Sequence, residues 1–160
     1  MRLLIAAVGK LKDGAERELL DRYRDRFAAM GKRLGLAPVM WHELAESRAA
    51  SAAKRQDEEG IALLRLVREA DVVIALDERG KAPTSEAFAR LLAKTRDEGA
   101  GTLAFVVGGP DGLAPAVREA ARTVIAFGAV TLPHGLARIV LAEQLYRAAT
   151  ILAGHPYHRA

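Results

Sequence analysis

Short apolar runs that alternate with helical patterns constrain this chain more than any other feature. Residues 3–8, 71–76 and 102–107 are each long enough for one buried strand and too short for a buried helix. Stretches with apolar residues at helical spacing lie between them. This order predicts an α/β domain with a largely parallel sheet covered by helices on both faces. We expect residues 1–160 to form a single domain.

The remaining predicted elements continue the same alternation. Residues 36–44, which include Pro38, predict an edge strand, and residues 124–127 predict a last short strand. Helices are predicted over residues 14–31, 51–70, 85–96, 115–121 and 135–153. The last helix is apolar on more than one side, which is typical of a helix at a subunit interface.

Local signals give details of the first two helices. Asp13 has the position of an N-cap residue, with a capping glutamate three residues later. In the second helix, Ile61, Leu64 and Val67 are expected to form the buried stripe. Gly60 is expected to weaken that helix, because glycine is unfavourable in a helix interior.

The composition excludes several classes of site. Cysteine is absent, so a disulfide, a thiolate nucleophile and a cysteine metal site are impossible. The histidines at the end of the chain lack metal-ligand spacing, and we expect no metal. The first apolar run is too short to span a membrane and is followed by charged residues, so we expect a cytoplasmic protein without a membrane partner.

The charge balance leaves the type of partner open. Lys and Arg number 24 against 20 Asp and Glu, which gives a net charge of +4. This excess favours a polyanionic partner. An ordinary protein with an arginine-rich surface would have the same total, because nucleic-acid binding needs clustered charge.

Three stretches near the end of the chain contain residues that packing alone does not explain. They are FVVGGPDGL at 105–113, TLPHGLAR at 131–138 and HPYHRA at 155–160. Ligands of open α/β sheets bind beyond the carboxyl ends of the strands. We therefore expect a ligand site formed by the loops at residues 76–80, 108–112 and 127–134.

Each of these signals also has a structural interpretation. The glycine loop permits close approach of a nucleotide, but it lacks the Rossmann and P-loop spacings, and a tight turn without a ligand explains it equally well. His134 is either a substrate contact or a local capping residue. Glu143 and Arg147 form either a functional pair or a plain ion pair one helical turn apart.

Taken in order, these stretches resemble the ribosomal RNA large subunit methyltransferase H family, small SPOUT-class enzymes that methylate a pseudouridine at N3. The resemblance covers the whole chain and includes LLIAAVG at 3–9, LDERGK at 76–81 and the glycine turn. It is densest over LPH at 132–134, AEQLYRA at 142–148 and HPYHR at 155–159. The sequence departs from the family at Gly135, where proline is common, and we expect a looser entry to the last helix.

The resemblance implies a C-terminal trefoil knot, a homodimer and S-adenosylmethionine as the cofactor. The positions that match the family's cofactor contacts are Leu76, Gly108, Gly109, Phe127, Gly128, Ala129, Val130, Thr131 and Leu132. They fall in the three strand-end loops selected above.

The implied reaction is methyl transfer to N3 of a pseudouridine in 23S ribosomal RNA within the assembled ribosome. Candidates for the acceptor side are His134, Glu143, Tyr157, His158 and Arg159. Among them Tyr157 suits base stacking, His158 suits proton transfer and Arg159 suits a phosphate or a developing anion. We expect the tail of one subunit to complete the pocket of the other, and the arginines at residues 17–33 to contact the RNA backbone.

Two other functions remain possible at this point. A non-catalytic nucleotide-binding or ribosome-associated module would use the same loops without transferring a methyl group. A flavodoxin-like redox domain is less compatible, because Phe127 is the single aromatic residue in the proposed cofactor loops.

Overall fold

The computed structural model describes residues 1–158, so the candidate residue Arg159 lies outside the described part. The sheet has five strands, which are β1 (Arg2–Val8), β2 (Val39–Leu44), β3 (Val72–Lys81), β4 (Thr102–Val107) and β5 (Thr123–Ile125). The helices are α1 (Ala15–Gly31), α2 (Ala52–Val67), α3 (Ser85–Asp97), α4 (Pro115–Ala120) and α5 (His134–Leu152), with a short 3-10 helix at Lys32–Leu34. The strand order is β2-β1-β4-β3-β5, and every pairing is parallel. The predicted parallel α/β sheet is confirmed.

Helices cover both faces of the sheet. On one face, Phe27 of α1, Phe88 of α3 and Leu141 of α5 pack together with the strands. On the other face, Leu63 of α2 and Val117 of α4 form a second core. Within residues 1–158, no helix is long and apolar enough to span a membrane.

Two local predictions for the first two helices need correction. The N-cap of α1 is Gly14, at a φ of 140°, and no side chain caps the helix. Of the predicted stripe of α2, Val67 is buried and Leu64 is half-buried, but Ile61 is 69% exposed and Leu63 takes the buried position instead. Gly60 permits close packing, since a Cβ atom there would lie 2.7 Å from the Cβ atom of Ala114.

The last strand, β5, pairs with two separate positions of β3. Ile125 pairs with Leu76 and again with Lys81, across a shift in register. The backbone at Gly80 lies directly against Ile125, and a Cβ atom there would be 2.5 Å from the carbonyl carbon of Ile125. The amide of Ala126 donates to the carbonyl of Lys81 at 2.9 Å. This contact between two backbones requires glycine at position 80.

A buried charge fixes the start of α5 to the sheet. The guanidinium of Arg138 is fully buried and donates to the carbonyl of Gly9 at 2.8 Å and to Glu43 Oε1 at 3.0 Å. Arg17 donates to the other oxygen of Glu43 at 2.7 Å. Burial would raise the pKa of Glu43, but the hydrogen bonds from Arg17 and the amide of Leu11 outweigh it, and the pKa lies below the ordinary 4.5.

We predict that Gly80→Ala lowers the free energy of unfolding by about 3 kcal/mol, because the backbone of Ile125 cannot move away. Gly101→Ala is the control, since its Cβ atom would lie 3.3 Å from a side-chain oxygen of Asp71. Urea unfolding of both variants measures the difference. Equal losses would contradict the interpretation of Gly80.

We predict that Glu43→Gln lowers the free energy of unfolding at pH 7 by about 3 kcal/mol, because Arg138 would stay buried without its counter-charge. Since the folded-state pKa of Glu43 is depressed, its contribution is complete above the unfolded-state pKa and is lost as the pH falls through the folded-state value. The difference from wild type should therefore shrink below pH 4.5. Urea midpoints over a pH series check this, with the exposed Glu119→Gln as the control, and a difference independent of pH would refute it.

Candidate active site

A cleft of about 600 Å³ opens at the carboxyl ends of β3, β4 and β5. It is formed by the three segments that the sequence selected, so their predicted convergence is confirmed, although residues 76–80 belong to β3 and are not a loop. Of the predicted cofactor contacts, the lining includes Leu76, Gly108, Gly109, Phe127, Gly128, Val130, Thr131 and Leu132. Ala129 is absent from the lining that the described residues form.

The glycine loop folds back on itself. Gly109 and Gly112 form an antiparallel bridge, and Gly112 has a φ of 82°. A Cβ atom on Gly108 would lie 2.7 Å from the carbonyl carbon of Gly112, and one on Gly109 would lie 2.9 Å from a methyl carbon of Val8. Internal packing thus demands these glycines, and it leaves their backbone as the surface of the cleft.

An arginine of α2 holds the glycine loop in place. Arg55 donates to both carboxylate oxygens of Asp111, at 2.7 and 3.0 Å, and the Gln56 amide donates to the Asp111 carbonyl. The hydrogen bond from Arg55 lowers the pKa of Asp111, which therefore stays charged. Sequence reasoning missed this clamp, because nothing local connects positions 55 and 111.

A second arginine holds the part of β3 that follows Leu76. Arg118 of α4 donates to Asp77 Oδ2 at 3.2 Å and also to the carbonyl of Leu113. It therefore joins the second half of β3 to the end of the glycine loop. Both of these segments are fixed by helices on the same face of the sheet.

His134 is the first residue of α5 and lines the far end of the cleft. Its imidazole packs over Gly9, where a Cβ atom would lie 3.1 Å from Nε2, and Nε2 is 3.9 Å from Glu46 Oε1. Arg138, one turn further along, donates to the His134 carbonyl at 3.2 Å. The backbone of His134 is thus held by the same buried charge that joins β1 and β2.

The chain end forms a separate cluster around Glu143. This carboxylate accepts from Arg147 at 2.9 and 2.6 Å, from Gln144 at 2.7 Å and from the Tyr157 hydroxyl at 3.2 Å. Burial, followed by interactions with Tyr23 and Glu143, raises the pKa of Tyr157 well above its ordinary value. Tyr157 is therefore a neutral hydrogen-bond donor near pH 7.

His158 anchors the tail on α3. Its Nε2 lies 2.9 Å from Glu86 Oε1 in the first turn of that helix. Beside it, the Ser85 hydroxyl donates to the Gln144 side chain at 2.9 Å. In this arrangement residues 155–158 of the tail pack on α3 and α5, and none of these described residues lines the cleft.

The structure divides the acceptor candidates into two groups. Glu143, Tyr157 and His158 lie near the carboxyl half of α5, whereas His134 lies at its amino end, about 13 Å from Glu143 along the helix axis. Of these residues, His134 alone lines the cleft as the described chain forms it.

Gly135 is buried within the first turn of α5. A Cβ atom there would lie 3.0 Å from Glu16 Oε2 and 3.1 Å from Leu11 Cδ2. The entry to α5 is closely packed at this position, in contrast to the looser entry expected from the sequence.

Sequence reasoning also missed Arg138. A signal was present, because Arg138 precedes Leu141 and Leu145 by three and seven residues and so falls on the apolar stripe of α5. A charged residue on such a stripe needs a buried partner, which is Glu43.

Comparisons with solved structures identify the fold. A probable methyltransferase from Bordetella pertussis matches with a TM-score of 0.54 at 16% identity, covering 92% of this chain and 95% of the other. A probable methylase family protein from Haemophilus influenzae matches with a TM-score of 0.53 at 13% identity, covering 99% and 70%.

Comparisons of sequence identify the family. A family model described as predicted SPOUT methyltransferase matches residues 1–158. Proteins named ribosomal RNA large subunit methyltransferase H from Bradyrhizobium diazoefficiens and Rhodopseudomonas palustris are 54% and 53% identical over 160 residues, which is the full length of each protein and of this chain. Because the similarity runs from end to end, the chain belongs to the ribosomal RNA large subunit methyltransferase H family of SPOUT methyltransferases.

Proposed function

We propose that this protein methylates N3 of a pseudouridine in 23S ribosomal RNA, using S-adenosylmethionine and acting on assembled ribosomes. The observation that carries the proposal is the cleft at the carboxyl ends of three strands, in a chain that belongs to a methyltransferase family. The names of the relatives support ribosomal RNA as the substrate class. The pseudouridine and the assembled ribosome come from the resemblance described above.

The cleft has the size and chemistry for S-adenosylmethionine. Its volume of about 600 Å³ is within the range of ligand sites, and Leu76, Ile125 and Phe127 give it apolar walls. The backbone of Gly108 lies at its surface, and the space beside Gly128 is open for 4 Å. The residues proposed to hold the cofactor are therefore those of the three strand-end loops.

The chain's own residues must manage the proton on the acceptor nitrogen. When bound, S-adenosylmethionine supplies an electrophilic methyl group. N3 of a uracil-type ring carries a proton, and the nitrogen becomes a good nucleophile once that proton is removed. His134 lines the cleft, and its imidazole is the candidate general base there. Tyr157, whose raised pKa keeps it neutral, is a donor and not a base.

A homodimer with shared sites reconciles the two groups of acceptor candidates. The distance from His134 to Leu152 along α5 is about 27 Å. The six residues from Leu152 to His158 span at most about 20 Å when fully extended, so the backbone of this part of the tail falls short of His134 in its own subunit. The tail of a second copy has no such restriction. Leu136, 41% exposed on α5, offers apolar surface to that copy.

The trefoil knot is part of the same proposal. Ile125 of β5 pairs with both Leu76 and Lys81 of β3 across a shift in register, and this close association of the last strand with β3 supports a knotted chain.

The first test is methyl transfer from labelled S-adenosylmethionine to ribosomes lacking the modification. We expect label in the 23S RNA with wild type and at least about a hundredfold less with Arg159→Ala, since positioned charges contribute on this scale. Mass spectrometry of nuclease fragments locates the methyl group. Cofactor binding without any labelled product would instead favour a non-catalytic ribosome-binding module.

The shared site is tested with mixed dimers. One parent lacks residues 155–160, and the other carries Leu132→Trp to fill the cleft. Each parent alone should be inactive, whereas co-expressed subunits should recover about one quarter of wild-type activity, because half of the dimers are mixed and each has one intact site. Calorimetric titration with S-adenosylmethionine verifies each parent's binding state. No recovery in verified mixed dimers would disprove the shared site.

A further inference from the structure

The exposed surface of α1 carries several arginines. Arg22 and Arg26 are exposed and lie one turn apart, and the exposed Arg33 follows just beyond the helix end. Acidic residues are interspersed with them: Arg24 pairs with Asp21 at 3.1 Å and with Asp25 at 3.5 Å, and the exposed Glu18 lies one turn before Arg22. Across residues 1–158, no carboxylate lies within ion-pair distance of Arg22, Arg26 or Arg33. These three residues are called the basic strip.

The basic strip is joined to the tail by stacked side chains. The Arg26 guanidinium carbon lies 5.9 Å from the Tyr23 ring and 5.8 Å from the Tyr146 ring. Tyr146 lies 4.7 Å from Tyr157, and the guanidinium of Arg147 lies 5.1 Å from the Tyr157 ring. Cationic and aromatic side chains therefore form a continuous series of contacts from α1 to the residues proposed to meet the substrate.

We propose that the basic strip binds backbone phosphates of the ribosomal RNA and leads the strand to Tyr157. This inference rests on the proposed function, because RNA is the anion that the enzyme must approach. Arginine suits the task, since its planar guanidinium binds phosphate in a bidentate manner and also stacks on aromatic rings and bases. The strip extends about 16 Å, which is long enough to contact several phosphates.

Charge complementarity favours RNA over an apolar partner. Around the strip, the exposed apolar surface is small: Leu19 is 36% exposed. A membrane or a protein core would require a wider apolar patch. A second copy of this chain would bind the basic strip only through acidic groups. The oligomeric state, measured in the experiment below, distinguishes such a copy from RNA.

The experiment compares two triple charge reversals in the full-length protein. The strip variant is Arg22→Glu with Arg26→Glu and Arg33→Glu. The control is Arg48→Glu with Arg65→Glu and Arg90→Glu, which alters three exposed arginines elsewhere and changes the net charge equally. Affinity for large ribosomal subunits lacking the modification is measured between 50 and 200 mM salt, roughly the range over which phosphate contacts weaken strongly.

We expect the strip variant to bind at least about tenfold more weakly and to lower the slope of log affinity against log salt by about 2, as three lost phosphate contacts would. The control should stay within about threefold of wild type. Calorimetric affinity for S-adenosylmethionine and the oligomeric state should remain unchanged in both. A triple Arg→Gln variant at the strip repeats the measurement with a smaller perturbation and should also reduce the slope.

Three results would overturn the inference. Equal losses in the strip and control variants would mean that total charge matters and location does not. A change of oligomeric state in the strip variant would assign the strip to a subunit interface. Normal ribosome binding by a folded strip variant would remove its role. The proposed function fails separately, if the wild type binds large subunits but transfers no methyl group.

Discussion

The buried guanidinium of Arg138 is the contact on which the arrangement of the site depends. It joins the carbonyl of Gly9 after β1, the carboxylate of Glu43 in β2 and the carbonyl of His134 at the start of α5. Burial lowers the pKa of Arg138, and Glu43 opposes that effect. Three segments that are distant in sequence are bound to this one guanidinium. If any of them shifted, the charge would be exposed to solvent or left buried without a partner. His134 is thereby held over Gly9 at the end of the cleft.

The other walls of the cleft are fixed by the same principle at lower burial. Arg55 holds Asp111 of the glycine loop, and Arg118 holds Asp77 after the central part of β3. The wall formed by residues 127–133 is held less firmly, through a hydrogen bond that the Thr131 hydroxyl donates to Glu78 at 2.7 Å. Two walls of the cleft are therefore preorganised by arginine ion pairs, and the third has weaker side-chain contacts. In such a cleft a ligand finds its polar backbone contacts in place, and the third wall can adapt to it.

The sequence predicted the order of elements and the position of the cleft, because both follow from local rules. Apolar run length distinguishes strands from helices, and parallel strands end at one edge of the sheet. The prediction that needed the exact rotation of α2 failed in part: Val67 is buried as expected, but Ile61 points outward. The arginine clamps were also beyond prediction, since Arg55 and Asp111 are 56 residues apart and no periodicity connects them.

The length of α5 links the cleft to the rest of the proposed mechanism. Its amino end carries His134 at the cleft, its centre is buried through Leu141 and Leu145, and its carboxyl half carries Glu143 and Tyr146 near the tail. A rigid helix of this length keeps the two ends apart within one subunit. If the site is shared, that separation becomes useful, because the cleft of one copy and the tail of another can then close around the same nucleotide. A single subunit would bind the cofactor and would not assemble the acceptor side, so dimerisation itself would control methyl transfer.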